Sequence, residues 1–334
     1  MVYSESEQKI LAIFPHITGG LSLIGSSSIV YDIWKDRDYK MKQPYYRILL
    51  GMSMFDVVCS MSLCLSTIPI PAGTEGVFGA RGTTGTCTAS GFFNQLMLGS
   101  MLYNGVLAIY YTLSGTYRMA DEDFARKYEP WCHGLVVFVT IGVALAGLPL
   151  TLYNNSQLWC WIAPYPVGCE SFSGQHSPDL PCERGNDAWL YRWLFYYGPL
   201  WTTIGIVTVL MIVLTLSIMK EEKDIIMLRN RSIQARRNSL EAEEGTSNEN
   251  SDNSRPRLPK SESFRLERTK KMFYQALLYV GVFYITWIIP TINRVEQMVN
   301  DGNSPFGLAV GTAILAPMQG IWNWLVYRHG PCVA

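Results

Sequence analysis

The chain has 334 residues, of which 49% are hydrophobic and only 16% charged, with 27 basic residues against 27 acidic ones and no net charge. Soluble domains average about 25% charged residues, and here the charges crowd into short stretches that leave long runs almost free of them. A soluble globule is excluded because almost no amphipathic sequence remains to cover those runs. The balanced charge offers no basic footprint for nucleic acid.

Seven apolar stretches are long enough to cross a bilayer, at residues 10–34, 45–69, 90–117, 133–152, 190–219, 272–292 and 306–326. About 20 apolar residues are needed to cross roughly 30 Å of hydrocarbon. The expected fold is therefore an all-α membrane protein, a single seven-helix bundle over residues 1–334. The first stretch has only Lys9 before it and no clear cleavage pattern. It reads as a retained span after a short translocated tail, not as a signal peptide.

The second stretch carries Asp56, the one acidic residue deep in any of them. A carboxyl group at bilayer depth costs about 2.5–3.5 kcal/mol on insertion scales, so it is expected to face the bundle and a polar partner. Asn104 in the third stretch and Asn323 in the seventh are the candidates. The third stretch is also polar at Asn94 and Gln95, and Cys87 stands just before it.

The loop at 153–189 holds Cys160, Cys169 and Cys182. With Cys87 they permit three pairings, of which Cys87 with Cys160 and Cys169 with Cys182 is preferred. Disulfides belong to an oxidising, non-cytoplasmic side. Asn154 begins an Asn-Asn-Ser glycosylation pattern in the same loop, close to the membrane. The fifth stretch opens on an aromatic run, and a pocket is expected among Tyr191, Trp193, Phe195, Tyr196, Tyr197 and, from the sixth stretch, Trp287, with Tyr191, Phe195 and Trp287 the leading candidates.

Residues 220–268 form a long loop between the fifth and sixth stretches. Its start, KEEKDIIMLRNRSIQARR, is helix-forming and extends the fifth span, while residues 239–263 have little apolar content and are expected to be disordered. Ser239 after Arg236-Arg237-Asn238 would suit a basic-directed kinase. The seventh stretch reads Leu315-Ala-Pro-Met-Gln-Gly-Ile-Trp-Asn-Trp-Leu-Val-Tyr327. Gln319 and Asn323 are four apart and share a face, Gly320 admits a neighbouring helix closely, and Pro317 removes a backbone donor. With Asp56, Asn104 and Tyr327 these residues form a candidate switch.

Orientation follows from the basic residues. Lys35, Arg37, Lys40, Lys42, Arg118, Arg126, Lys127, the 220–271 segment and Arg328 fall on one side; Lys9, Arg81, Arg184 and Arg294, with Arg192 at its border, fall on the other. The first set is expected inside, which puts the N-terminus outside and the C-terminus inside. No phosphate loop, dinucleotide fingerprint, zinc-protease helix or nucleophile elbow occurs in a fitting context. The four histidines are scattered, and the last stretch has no lysine for a retinal Schiff base. No enzyme activity, cofactor or metal is expected.

Several of these patterns coincide in one family. Cys87, the Trp159-Cys160-Trp161-Ile162 run, Gln275 to Tyr279 with Phe283, Trp287 and Pro290, and the Pro317 to Tyr327 motif together resemble the seven-transmembrane G-protein-coupled receptors. The style is that of the slime-mould cyclic-AMP-receptor-like group and its secretin-like and fungal nutrient-sensing relatives. The resemblance implies an extracellular ligand bound in the outer half of the bundle and nucleotide exchange on a cytoplasmic heterotrimeric G protein. It also matches Cys87–Cys160 to the disulfide securing the third span, and the Pro317–Tyr327 motif to the moving end of the last helix. Arg118, Arg236, Arg237, Arg268, Lys270 and Lys271 become candidate G-protein contacts. The chain departs from the rhodopsin-like pattern at Ser114-Gly-Thr-Tyr-Arg118, which lacks the acidic-arginine-tyrosine triplet, and its short N-terminal tail argues against a peptide hormone. A small-solute transporter or channel, or a ligand-independent membrane scaffold, is the alternative.

Overall fold

A computed structural model describes residues 3–171, 173–243, 260–300 and 304–330. In chain order it contains α1 (Glu5–Lys35), α2 (Arg37–Lys40), α3 (Pro44–Cys64), α4 (Thr84–Gln95), α5 (Met97–Gly115), α6 (Asp121–Lys127) and α7 (Glu129–Ala146). There follow a hairpin of β1 (Tyr153–Asn155) and β2 (Cys160–Ile162), then α8 (Ala188–Arg192), a π-helical turn over Trp193–Tyr197, and α9 (Gly198–Glu243). The chain closes with α10 (Lys260–Val299), α11 (Phe306–Leu315), a 3₁₀ turn over Ala316–Met318, and α12 (Gln319–His329).

Local chemistry sets the helix ends. Ser4 and Glu7 close a reciprocal capping box at the start of α1, as do Thr83 and Thr86 at α4. Pro44 occupies the first turn of α3, where a missing N–H costs nothing. Pro149, within the fourth apolar stretch, lies beyond α7, which stops at Ala146, so it ends that helix without kinking it.

Among the described residues, six helical runs are long and apolar enough to cross a membrane: Glu5–Lys35, Pro44–Cys64, Thr84–Gly115, Glu129–Ala146, Ala188–Ala235 and Thr269–Val299. The seventh apolar stretch is built from α11 and α12 with the 3₁₀ turn between them, so neither piece spans alone. The outward faces are apolar: Ile24, Leu135, Phe138, Val209 and Ile288 are all more than half exposed. Side chains of that kind around a helical bundle require hydrocarbon as their solvent. The chain is an all-α, multi-pass membrane protein.

Most of the core falls into two large apolar clusters, with two small ones under the disulfide-bearing loops. One of the large pair lies toward the disulfide-bearing end and includes Cys59, Met97, Trp159, Trp287 and Ala316. The other lies toward the far ends of α9 and α10 and includes Met52, Tyr103, Leu214, Tyr279 and Val326. Asp56 sits on α3 between Met52 and Cys59, Ser100 on α5 before Tyr103, and Asn323 on the last helix between Ala316 and Val326. These buried polar groups therefore lie near the junction of the two clusters, which Phe55 and Leu102 bridge.

The crossing of α1 and α12 depends on small residues. A Cβ at Gly25 would lie 2.8 Å from Ile321 Cα, and one at Gly320 would overlap the Ser22 and Ser26 side chains. Close backbone approach of this kind supplies van der Waals packing where lipid offers no hydrophobic drive.

Candidate functional site

A cavity of about 580 Å³ opens at the disulfide end, within the range of small-molecule sites. Its roof is the loop between α7 and α8. Both expected disulfides are present, Cys87–Cys160 and Cys169–Cys182. The first ties α4 to the β-hairpin. The polar residues that mark the third apolar stretch complete that attachment: Asn94 Nδ2 donates to Cys160 O at 2.9 Å, and Gln95 accepts from Trp161 Nε1 at 2.8 Å while its own Nε2 donates to Phe195 O at 3.0 Å.

Trp287 lines the cavity and is buried. Tyr191 and Phe195 do not. They pack beneath the hairpin against the cluster of Leu152, Tyr153, Ile162 and Ala188, and Tyr196 and Tyr197 take their place in the wall. The π-helical turn is the physical cause: its wider repeat turns the chain less per residue, so the helix phase lags across Trp193–Tyr197. An edge-to-face chain then runs from Trp161 to Tyr196 (centroids 4.8 Å) and on to Trp287 (5.8 Å).

Two arginines, Arg192 and Arg294, also line the cavity, each only 5% exposed. Arg192 Nε donates to Ile162 O at 2.6 Å, and the Arg294 guanidinium lies 5.8 Å from the Tyr197 ring centre. Arg184, on the same side of the molecule by sequence, is held elsewhere, donating to Asn154 Oδ1 at 2.8 Å and Thr88 Oγ1 at 3.1 Å. That contact corrects the glycosylation reading. Asn154 is buried, and its Nδ2 donates to Thr151 O at 2.9 Å and Ala163 O at 2.7 Å, so the atom that would carry the glycan is enclosed.

Glu170 sits at the cavity edge beside Cys169, accepting from Ala188 N at 2.9 Å and Trp189 N at 3.3 Å. Burial raises the pKa of its carboxyl group, against the pull of those two N–H groups and of Arg192. The fold also brings His176 and Asp187 to Glu170, with their ligating atoms within 4.8 Å of one another. His176 is therefore less isolated than its sequence position indicates. With Glu170 already bound to the helix start and the other two exposed, the trio reads as a hydrogen-bonded polar cluster.

The cavity lining includes Ala316, at the start of the 3₁₀ turn. Pro317 has no N–H to donate to Ala313 O, and Thr18 Oγ1 on α1, which donates to Phe14 O of its own helix at 2.9 Å, also reaches that carbonyl at 3.3 Å in a shared bond. Beyond the turn, α12 is bound to its neighbours turn by turn. Gln319 Nε2 donates to Ser100 Oγ at 2.8 Å, Gly320 N to Ser22 Oγ at 2.9 Å, and Asn323 Nδ2 to Asp56 Oδ2 at 2.9 Å. Tyr327 OH donates to Asp32 Oδ2 at 3.1 Å. Asn104 does not join Asp56; its amide bonds back to Ser100 O at 3.1 Å, the i−4 carbonyl of its own helix. Sequence reasoning missed Thr18, Ser22 and Ser100, although the run Gly19-Gly20-Leu-Ser22-Leu-Ile-Gly25-Ser26 signals a close helix crossing.

At the opposite end, Arg118 pairs with Glu221 at 2.9 Å, tying the segment after α5 to α9, and Lys270 pairs with Glu222, tying α10 to α9. Lys271 pairs within its own helix with Glu267. The side chains of Arg236, Arg237, Ser239 and Arg268 lie outside the described residues, as does the segment 244–259.

Neither a protein-family model nor a curated protein sequence matches the chain. In fold it is similar to the crystal structure of squid rhodopsin, with a TM-score of 0.57 and 13% identity over 100% of this chain and 82% of that one. At that identity the likeness is one of fold: the helices of this multi-pass membrane protein are arranged as in a rhodopsin-like seven-transmembrane bundle.

Proposed function

We propose that the chain is a plasma-membrane receptor that binds an extracellular ligand in the cavity and promotes nucleotide exchange on a cytoplasmic heterotrimeric G protein. The last apolar stretch serves as the seventh span. The disulfide end faces outside, where cystines persist, and the basic ends of α9 and α10 face the cytoplasm.

One observation carries the reading. The cavity lining reaches Ala316, and the proline-broken turn that begins there leads into the helix whose Gln319, Asn323 and Tyr327 bond to three other helices. A ligand that favours one arrangement of that turn biases the far end of the bundle through differential affinity. There, the Arg118–Glu221 and Lys270–Glu222 pairs are the contacts to be opened for a partner.

The test is GDP release from purified G proteins of each class, with the chain in nanodiscs. Basal or ligand-driven exchange that Cys87→Ala abolishes at matched surface expression supports the reading. No exchange with any class, together with solute flux in liposomes, overturns it in favour of transport.

A further inference from the structure

The geometry points to a small organic acid as the occupant of the cavity, its anionic group held by Arg192 and Arg294 and its apolar body lying against Tyr196 and Trp287. This inference rests on the receptor reading for its biological meaning and on the cavity alone for its chemistry.

Charged side chains are costly to bury unless they are paired or used. Here two guanidinium groups, each 5% exposed, line one cavity from different helices. Among the described lining residues the fixed charges are these two cations against the single carboxylate of Glu170. That carboxylate accepts both backbone N–H groups at the start of α8. The cavity therefore carries an excess of positive charge in a setting where low dielectric strengthens attraction for an anion.

Both guanidiniums are also oriented in advance. Arg192 is held through Nε to Ile162 O at 2.6 Å; Arg294 lies over Tyr197 and donates through Nη1 to Gln297 Oε1 at 3.4 Å. A planar fork fixed in this way suits two-pronged recognition of a carboxylate, sulfate or phosphate, and preorganisation lowers the entropic cost of binding. A third donor lies nearby: Trp287 Nε1 is buried in the cavity wall and makes no hydrogen bond. An occupant rich in acceptors satisfies it. The Tyr196 and Trp287 rings then require an apolar or aromatic body, which separates an organic acid from a bare inorganic anion.

The probes are phenylacetate, phenyl phosphate, uncharged phenylacetamide and inorganic phosphate. Each is titrated onto the full chain in nanodiscs while tryptophan fluorescence and Tm are followed. At least one of the two aromatic acids is expected to saturate and raise Tm, with phenylacetamide at least tenfold weaker. Arg294→Gln is expected to weaken the acid at least tenfold, and Arg294→Lys to recover part of that loss, which distinguishes lost charge from lost folding. The inference is overturned by no response to either acid, by equal response to phenylacetamide, by an unchanged midpoint in Arg294→Gln, or by inorganic phosphate matching phenyl phosphate. G-protein exchange is measured on the same samples. Arg294-dependent acid binding without exchange sinks the receptor reading and leaves the acid site standing; exchange without acid binding does the reverse.

Discussion

Asn323 Nδ2 donates to Asp56 Oδ2 across 2.9 Å, joining α12 to α3 in the polar layer at the junction of the two large apolar clusters. Both side chains are buried, so whichever partner is removed leaves the other with an unmet polar group.

Replacing Asn323 by Ala is therefore expected to lower stability by about 1–3 kcal/mol and to alter nucleotide exchange while leaving the protein at the cell surface. Asp56→Asn keeps a polar partner for Asn323 and is expected to fold better than Asp56→Leu. Thermal unfolding in detergent and surface-normalised exchange are the measurements. Equal folding yields for the two Asp56 variants would count against the layer.

Thr18 serves the carbonyl that Pro317 leaves open. Thr18→Val is expected to cost roughly 0.5–1.5 kcal/mol, the scale of hydrogen bonds between membrane helices. In Pro317→Ala, where the restored N–H can serve Ala313 O, the same change is expected to cost much less. A double-mutant cycle on Tm reads the coupling, and additive losses would show the two residues to be independent.

Gly320 faces the hydroxyls of Ser22 and Ser26. Gly320→Ala is expected to force α1 from α12 and destabilise by about 1–3 kcal/mol, the usual cost of overpacking. Ser26→Gly in the same chain is expected to return part of that loss, because it removes one of the two obstructing side chains. Unfolding temperatures of the single and double variants decide the point.

Glu170 gives a pH dependence. Its carboxyl pKa is raised in the folded chain, chiefly by burial, so the protonated form is favoured by folding. The associated stability is fully present below the ordinary carboxylate value of about 4.3 and is lost as pH rises through the raised folded value. Glu170→Gln is expected to flatten the fall in Tm above about pH 4.3. A wild-type curve parallel to that of the variant across this window would contradict the assignment.

Much of the bundle was legible from apolar run length alone, since spanning a bilayer imposes a length that composition reveals. The Asp56–Asn323 pair was legible for a related reason: a lone carboxyl group in an apolar stretch must find one of very few polar partners. Asn104 was misassigned as a partner because an asparagine within a helix can satisfy itself on the i−4 carbonyl, as this one does at Ser100. Asn154 matched a sequence pattern, but its burial under Arg184 depends on a fold between distant segments. The aromatic run marked the cavity wall, but which of its members face inward depends on the π-helical turn over Trp193–Tyr197, which composition does not reveal.

That wide turn fixes which way the whole of α9 faces. Its surplus of chain lies between the Ile162-anchored Arg192 and Gly198, so everything downstream inherits its angular offset. Removing one residue there would swing the downstream helix by about 100° relative to that anchor, carrying Glu221 and Glu222 away from Arg118 and Lys270 at the distant end. A few aromatic residues near one mouth of the bundle thus set the rotational alignment of the salt bridges at the other.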